Sequence, residues 1–153
     1  MNVSSRFLGR VGLVLLAAAA AVPAASGDEK HSDQRFTARD VRRSYGYSCL
    51  GAVNGVPFAQ IGQVSCDGKD TCTGTGTIST GPGGPPLLTY VTGKYTVDPN
   101  GVGLVTYNIS LTPGGPPFPD PLPIRFVLID GGRELRGFPL VPGYAVICDL
   151  KEQ

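Results

Sequence analysis

The chain has 153 residues, enough for one ordinary domain. Thirteen Lys and Arg against twelve Asp and Glu leave almost no net charge, which excludes a strongly basic nucleic-acid binder. Gly (22) and Pro (14) approach the level of disordered sequence, but 41% hydrophobic content with only 16% charge points to a folded core.

Residues 1–26 read as a secretory signal. Arg6 and Arg10 give the positive start, and Val11 to Val22 is an unbroken apolar run. That run is short for a membrane span, which needs about 20 residues. Small residues follow at Ala24, Ala25, Ser26 and Gly27, and the favoured cut is after Ser26. No Cys lies near it, which disfavours a lipid anchor. Export implies a secreted or periplasmic location and an oxidising compartment, so the four cysteines are expected to form two disulfides.

Residues 27–44 form a charged lead-in. From Asp28 to Arg43, nine of sixteen residues are charged, and only Phe36 and Val41 are large and apolar. This composition predicts a flexible, solvated segment with at most a helical turn near Phe36 to Arg43.

Residues 45–153 change character. Eight runs rich in β-branched and aromatic residues alternate with turn signals about every ten residues. They are Tyr45–Val53, Phe58–Cys66, Thr71–Thr80, Leu87–Val97, Val102–Leu111, Ile124–Ile129, Arg133–Val141 and Tyr144–Leu150. Each alternates an apolar with a mostly polar face, and none has helical periodicity. Short, even connections predict an all-β, eight-stranded antiparallel up-and-down barrel, with a two-sheet sandwich as the alternative.

In such a barrel, alternate connections share a rim. The tight turns at Asp67-Gly68, Asp98 to Gly101 and Asp130 to Gly132 make an acidic rim. The opposite rim carries Asn54-Gly55, Gly81 to Pro86, Pro113 to Pro121 and Pro142-Gly143, with the string PGGPP occurring twice. Stiff loops on a rigid scaffold make this second rim the expected working end. Closure also places the first strand beside the last, which selects Cys49–Cys148; a hairpin selects Cys66–Cys72. The Cys-x-x-Cys pairs of a metal site are absent.

The only histidine, His31, lies in the lead-in, so the barrel holds no Ser-His-Asp or Cys-His arrangement. No phosphate-binding glycine loop and no cofactor motif is present. Alternation points Tyr47, Tyr95, Tyr107, Phe126 and Tyr144 inward, beside inner glycines (Gly51, Gly74, Gly76 and Gly93) that leave room. An eight-stranded barrel is just wide enough to fill with side chains or to hold one small ligand. Tyr47, Tyr95, Tyr107, Leu111, Phe118 and Phe126 are the candidate ligand-binding residues, with no catalytic residue assigned. Arg125, the one charge in LPIRFVLI, is read as outward, or as an anion anchor if it turns in.

The strings YGYSCLGAVNGVPFAQIGQVSCDGKDTCTGTGTIS, GKYTVDPNGVGLVTYNI and FVLIDGGRELRGF resemble a group of small secreted bacterial β-barrel proteins over about residues 45–139. No functional residues carry over from that group. The plan is also similar to calycins and allene-oxide-cyclase-like barrels, a fold-level analogy only. The leading expectation is an exported barrel that binds a small, largely apolar molecule. The alternatives are a cofactor-free cyclase or isomerase, and a protein-binding or inhibitor module using the Pro-rich rim. The expected partners are therefore a small apolar ligand or a protein. Nucleic acid, and membrane after signal cleavage, are not expected; the protein is read as a monomer or weak oligomer.

Overall fold

The structure is a computed structural model that describes residues 35–79, 81, 84–117 and 120–153. The signal read over residues 1–26 lies outside the described residues. Eight strands follow in chain order: β1 (Ser44–Val53), β2 (Val56–Cys66), β3 (Thr71–Ser79), β4 (Leu87–Val97), β5 (Val102–Ser110), β6 (Leu122–Ile129), β7 (Glu134–Pro139) and β8 (Tyr144–Glu152). Each pairs antiparallel with the next, and β1 pairs with β8, closing the barrel. The sandwich alternative is thereby excluded.

The register fixes the barrel's shape. A row of paired residues starts at Leu87 and runs through Ile78, Gln60, Cys49, Cys148, Gly137, Phe126 and Gly103. It returns to β4 at Val97, ten residues from its origin. With about 3.3 Å rise and about 4.8 Å strand spacing, that stagger tilts the strands by about 40°. Paired residues share a face, so the whole row points inward.

Local chemistry sets the turns. Asn54 (φ 51°) and Gly55 (φ 79°) both take the left-handed conformation that a two-residue hairpin requires, and Val53 pairs with Val56 across it. At the β2–β3 turn the Asp67 carboxylate accepts backbone N–H groups from Lys69 (2.8 Å), Asp70 (3.1 Å) and Thr71 (3.0 Å). Those donors, Thr71 first, hold its pKa below the usual carboxylate range.

Both disulfides form, Cys49–Cys148 across the β1–β8 seam and Cys66–Cys72 across the β2–β3 hairpin. All four sulfurs lie on the inner face. The bonds fit an oxidising compartment. Among the described residues, no helix is long and apolar enough to cross a membrane.

The lead-in has the expected turn near Phe36 to Arg43, but its described part is packed and not solvated. Its last part is ordered against the barrel end that holds the Asp67, Asp98 and Asp130 turns. Thr37 caps a 3-10 turn (Ala38–Val41) by donating its N–H (2.8 Å) and hydroxyl (3.0 Å) to Asp40. The Phe36 N–H donates to the Pro99 carbonyl at 3.1 Å, and Tyr95 Oη donates to the Ala38 carbonyl at 3.1 Å. Arg43 pairs with Glu152 at 2.7 Å. Val41 is 2% exposed and packs with Tyr45, Val64, Tyr95, Phe126, Leu128 and Leu135. The segment is a plug, because one buried valine and its backbone hydrogen bonds outweigh the solvation of its charged neighbours. Its arginines also bring positive charge to the rim that reads as acidic from its turns alone.

Candidate functional site

The interior is filled unevenly. Toward the plugged end, Tyr45, Val64, Tyr95, Val105, Phe126 and Leu135 are buried. Further along, Tyr47, Tyr107, Ile109, Leu122, Ile124 and Leu150 face inward but are only half-buried. All of these line a single internal cavity of about 70 Å³. That is about half the ~150 Å³ of an apolar protein cavity that takes up benzene. A larger, open depression of about 560 Å³ lies outside β1–β3 and β8, between Gly46, Ile61, Gln63, Thr75 and Leu88. It is a shallow exterior surface, and the interior is the concave site.

The inner glycines do not leave free room. Three of the inner aromatics lie over glycines of nearby strands. Tyr47 covers Gly62 and Gly76, Tyr107 covers Gly93, and Phe126 covers Gly103. A Cβ at Gly93 would stand 2.6 Å from the Tyr107 ring. At Gly51 and Gly74 the space is taken by backbone of the adjacent strands instead. The small cavity is what remains.

Inside this apolar wall sits a short polar chain. Gln60 Nε2 donates to Tyr47 Oη at 3.0 Å and to Thr89 Oγ1 at 3.4 Å. Thr89 Oγ1 donates to the Gly76 carbonyl at 3.0 Å. Gln60 and Thr89 are both buried. Four phenols line the cavity, and two are engaged at the plugged end: Tyr45 Oη donates to the Gly132 carbonyl at 2.7 Å, and Tyr95 Oη to Ala38. The hydroxyl protons of Tyr47 and Tyr107 have no acceptor among the described residues.

Burial controls the ionisation of these phenols. It pushes Tyr47 up to about 12, with the hydrogen bond from Gln60 opposing the shift. It raises Tyr45 and Tyr107 further, and Tyr95 in the same direction. The other polar lining group, Gln60, does not titrate. Among the described residues, no lining side chain therefore offers a general acid or base near neutral pH. No group of three or more His, Cys, Asp or Glu suited to a metal ion occurs among the described residues.

The sequence-derived candidates divide. Tyr47, Tyr95, Tyr107 and Phe126 line the cavity, although Phe126 belongs to the packed plugged end and not to the Pro-rich rim. Leu111 follows the end of β5, is 47% exposed and does not line the cavity. Arg125 pairs with Leu104 and Phe138 on the outer face, so the anion-anchor option is corrected. Phe118 lies outside the described residues. Gln60 and Thr89 went unread, although the parity of β2 (Phe58, Gln60, Gly62, Val64, Cys66) already puts a polar side chain inside.

The Pro-rich rim has a distinct surface. In or next to each of its four connections stands an exposed apolar residue: Val56 and Leu88 at the starts of β2 and β4, and Leu111 and Leu140 just past the ends of β5 and β7. Its only charge among the described residues is Asp120.

The fold and site define a class: a disulfide-closed, eight-stranded antiparallel barrel, plugged at one end, with an apolar interior and phenol hydroxyls in its wall. In comparison with known proteins, no family model, curated protein or solved structure matches the chain.

Proposed function

We propose that this protein is an exported barrel that binds a small, largely apolar molecule in its interior. The observation that carries the reading is the cavity itself. It is walled by Tyr47, Tyr107, Ile109, Leu122, Ile124 and Leu150, which face inward without being buried. Apolar walls with few placed polar groups are what small-molecule sites use. The plug supports a single approach, from the Pro-rich end. The lack of a lining group that titrates near neutrality favours binding over a cyclase or isomerase reaction by proton transfer. The two disulfides support an oxidising destination.

Native mass spectrometry and solvent extraction of protein purified from its own host test this. A near-stoichiometric small apolar compound is the expected result. Protein that carries no compound and takes up no xenon, a probe smaller than benzene, would refute it.

A second reading, a protein-binding module, is favoured by the apolar residues spaced around the Pro-rich rim with one charge among them. Changing Val56, Leu88, Leu111 and Leu140 to Ser separates the two. It abolishes partner capture if that reading holds, and leaves xenon uptake intact.

A further inference from the structure

Four tyrosines line the cavity, yet their hydroxyls are in two different situations. Tyr45 and Tyr95 donate to backbone carbonyls at the plugged end. Tyr47 accepts from Gln60, which leaves its own proton to be donated, and Tyr107 has no partner among the described residues. Both residues are half-buried, so water reaches the cavity they line; a ligand that displaces that water leaves a covered hydroxyl without a partner, which is costly unless the ligand brings an acceptor. Among the described residues no cation lines the cavity, and Arg125 is outside, so a carboxylate ligand would meet no charge partner there. A pure hydrocarbon would leave both protons unsatisfied.

We propose that the ligand is a neutral, mostly apolar molecule bearing one acceptor oxygen, of the ketone type, and that the Tyr47 and Tyr107 hydroxyls receive that oxygen. This rests on the binding reading above and specifies its chemistry. Gln60 is the positioning residue: its bond to Tyr47 Oη, anchored through Thr89 to the Gly76 carbonyl, holds that phenol across Gly62 and Gly76. Specificity then follows from the donors, because a site built to donate rejects the analogue that lacks the acceptor.

Two small probes of nearly equal shape, chosen for a cavity of about 70 Å³, test the assignment: acetone, with C=O, and isobutene, with C=CH₂. Each is titrated by NMR into the full-length protein, the Tyr107→Phe variant and the Tyr47→Phe/Tyr107→Phe double variant. Loss of both hydroxyls should weaken acetone about tenfold relative to the alkene, the scale of one to two net hydrogen bonds. The infrared carbonyl stretch of the bound ketone should sit at lower frequency in the unaltered protein and return to its apolar-solvent position in the double variant. Tyr107→Phe removes no hydrogen bond within the described protein, so it folds and reads out alone if the double variant does not. Equal binding of both probes by all variants means that the phenols meet only water; that overturns the acceptor assignment and leaves the binding reading standing. Failure of both probes to bind at the highest concentrations at which the protein stays folded overturns both.

Discussion

Removing each disulfide in turn should cost very different amounts, and the difference isolates one physical effect. Cys49–Cys148 spans 99 residues of sequence and Cys66–Cys72 only 6. In the chain-entropy account, closing a loop of about 100 residues contributes about 4.7 kcal/mol, and closing one of about seven contributes about 2.4 kcal/mol. Packing losses should nearly cancel between the two pairs. Both sit inside the barrel, Cys49 and Cys148 at 6% and 3% exposure and Cys66 and Cys72 at 8% and 3%. Paired Cys→Ala variants compared by urea unfolding should therefore differ by about 2 kcal/mol. With a slope near ~2 kcal/mol per molar, that is a midpoint gap of about 1 M. Equal losses would show that the seam bond acts through native contacts and not through the unfolded chain, and would refute the reasoning.

Three other outcomes follow from the packing and ionisation. Val41→Ala should cost about 2 kcal/mol in urea unfolding, as a buried aliphatic truncation; no loss would return the lead-in to a solvated tail. Gly76→Ala should cost about 1–3 kcal/mol, because its Cβ collides with Tyr47 Oη and pushes that ring off Gln60; Tyr47→Phe in the same background should recover part of the loss. Tyr47 favours its neutral form when folded, with its pKa raised from 10.0 to about 12. Its contribution is thus complete below about pH 10, falls between about pH 10 and 12 and is level above. Stability measured across that window should drop, and Tyr47→Phe should flatten the drop by about 2 kcal/mol; an unchanged slope would place the phenol in solvent.

The strands are legible in the sequence because each run alternates strictly, and Cys49–Cys148 because closure makes the first and last strands neighbours. The plug is not legible. Five of the nine residues Arg35–Arg43 are charged, while the position of this segment is decided by Val41 and by backbone bonds that no composition reveals. The inner glycines mislead for a related reason. Gly76 and Gly93 look like vacant positions along one strand, but the register brings an aromatic ring over each. Tyr107 pairs with Gly93, Phe126 pairs with Gly103, and Tyr47 reaches across Gly62 to Gly76. Cross-strand filling of glycines by aromatic rings is a pairing property, invisible until the strands are aligned. Leu111 is misplaced by the sequence because alternation says which side a residue faces, not where the ladder stops.

The seam has a kinetic consequence. Seven of the eight ladders join strands adjacent in sequence, so each can form as a hairpin with little loop to close. The β1–β8 ladder alone joins residues about 100 positions apart. Its assembly must wait until the other strands are in register, since the cost of bringing distant segments together comes before any reward. Ring closure is then the slow step of folding. Cys49 and Cys148 meet only when it succeeds, so their oxidation acts as a latch, converting the last and most reversible event into a permanent one.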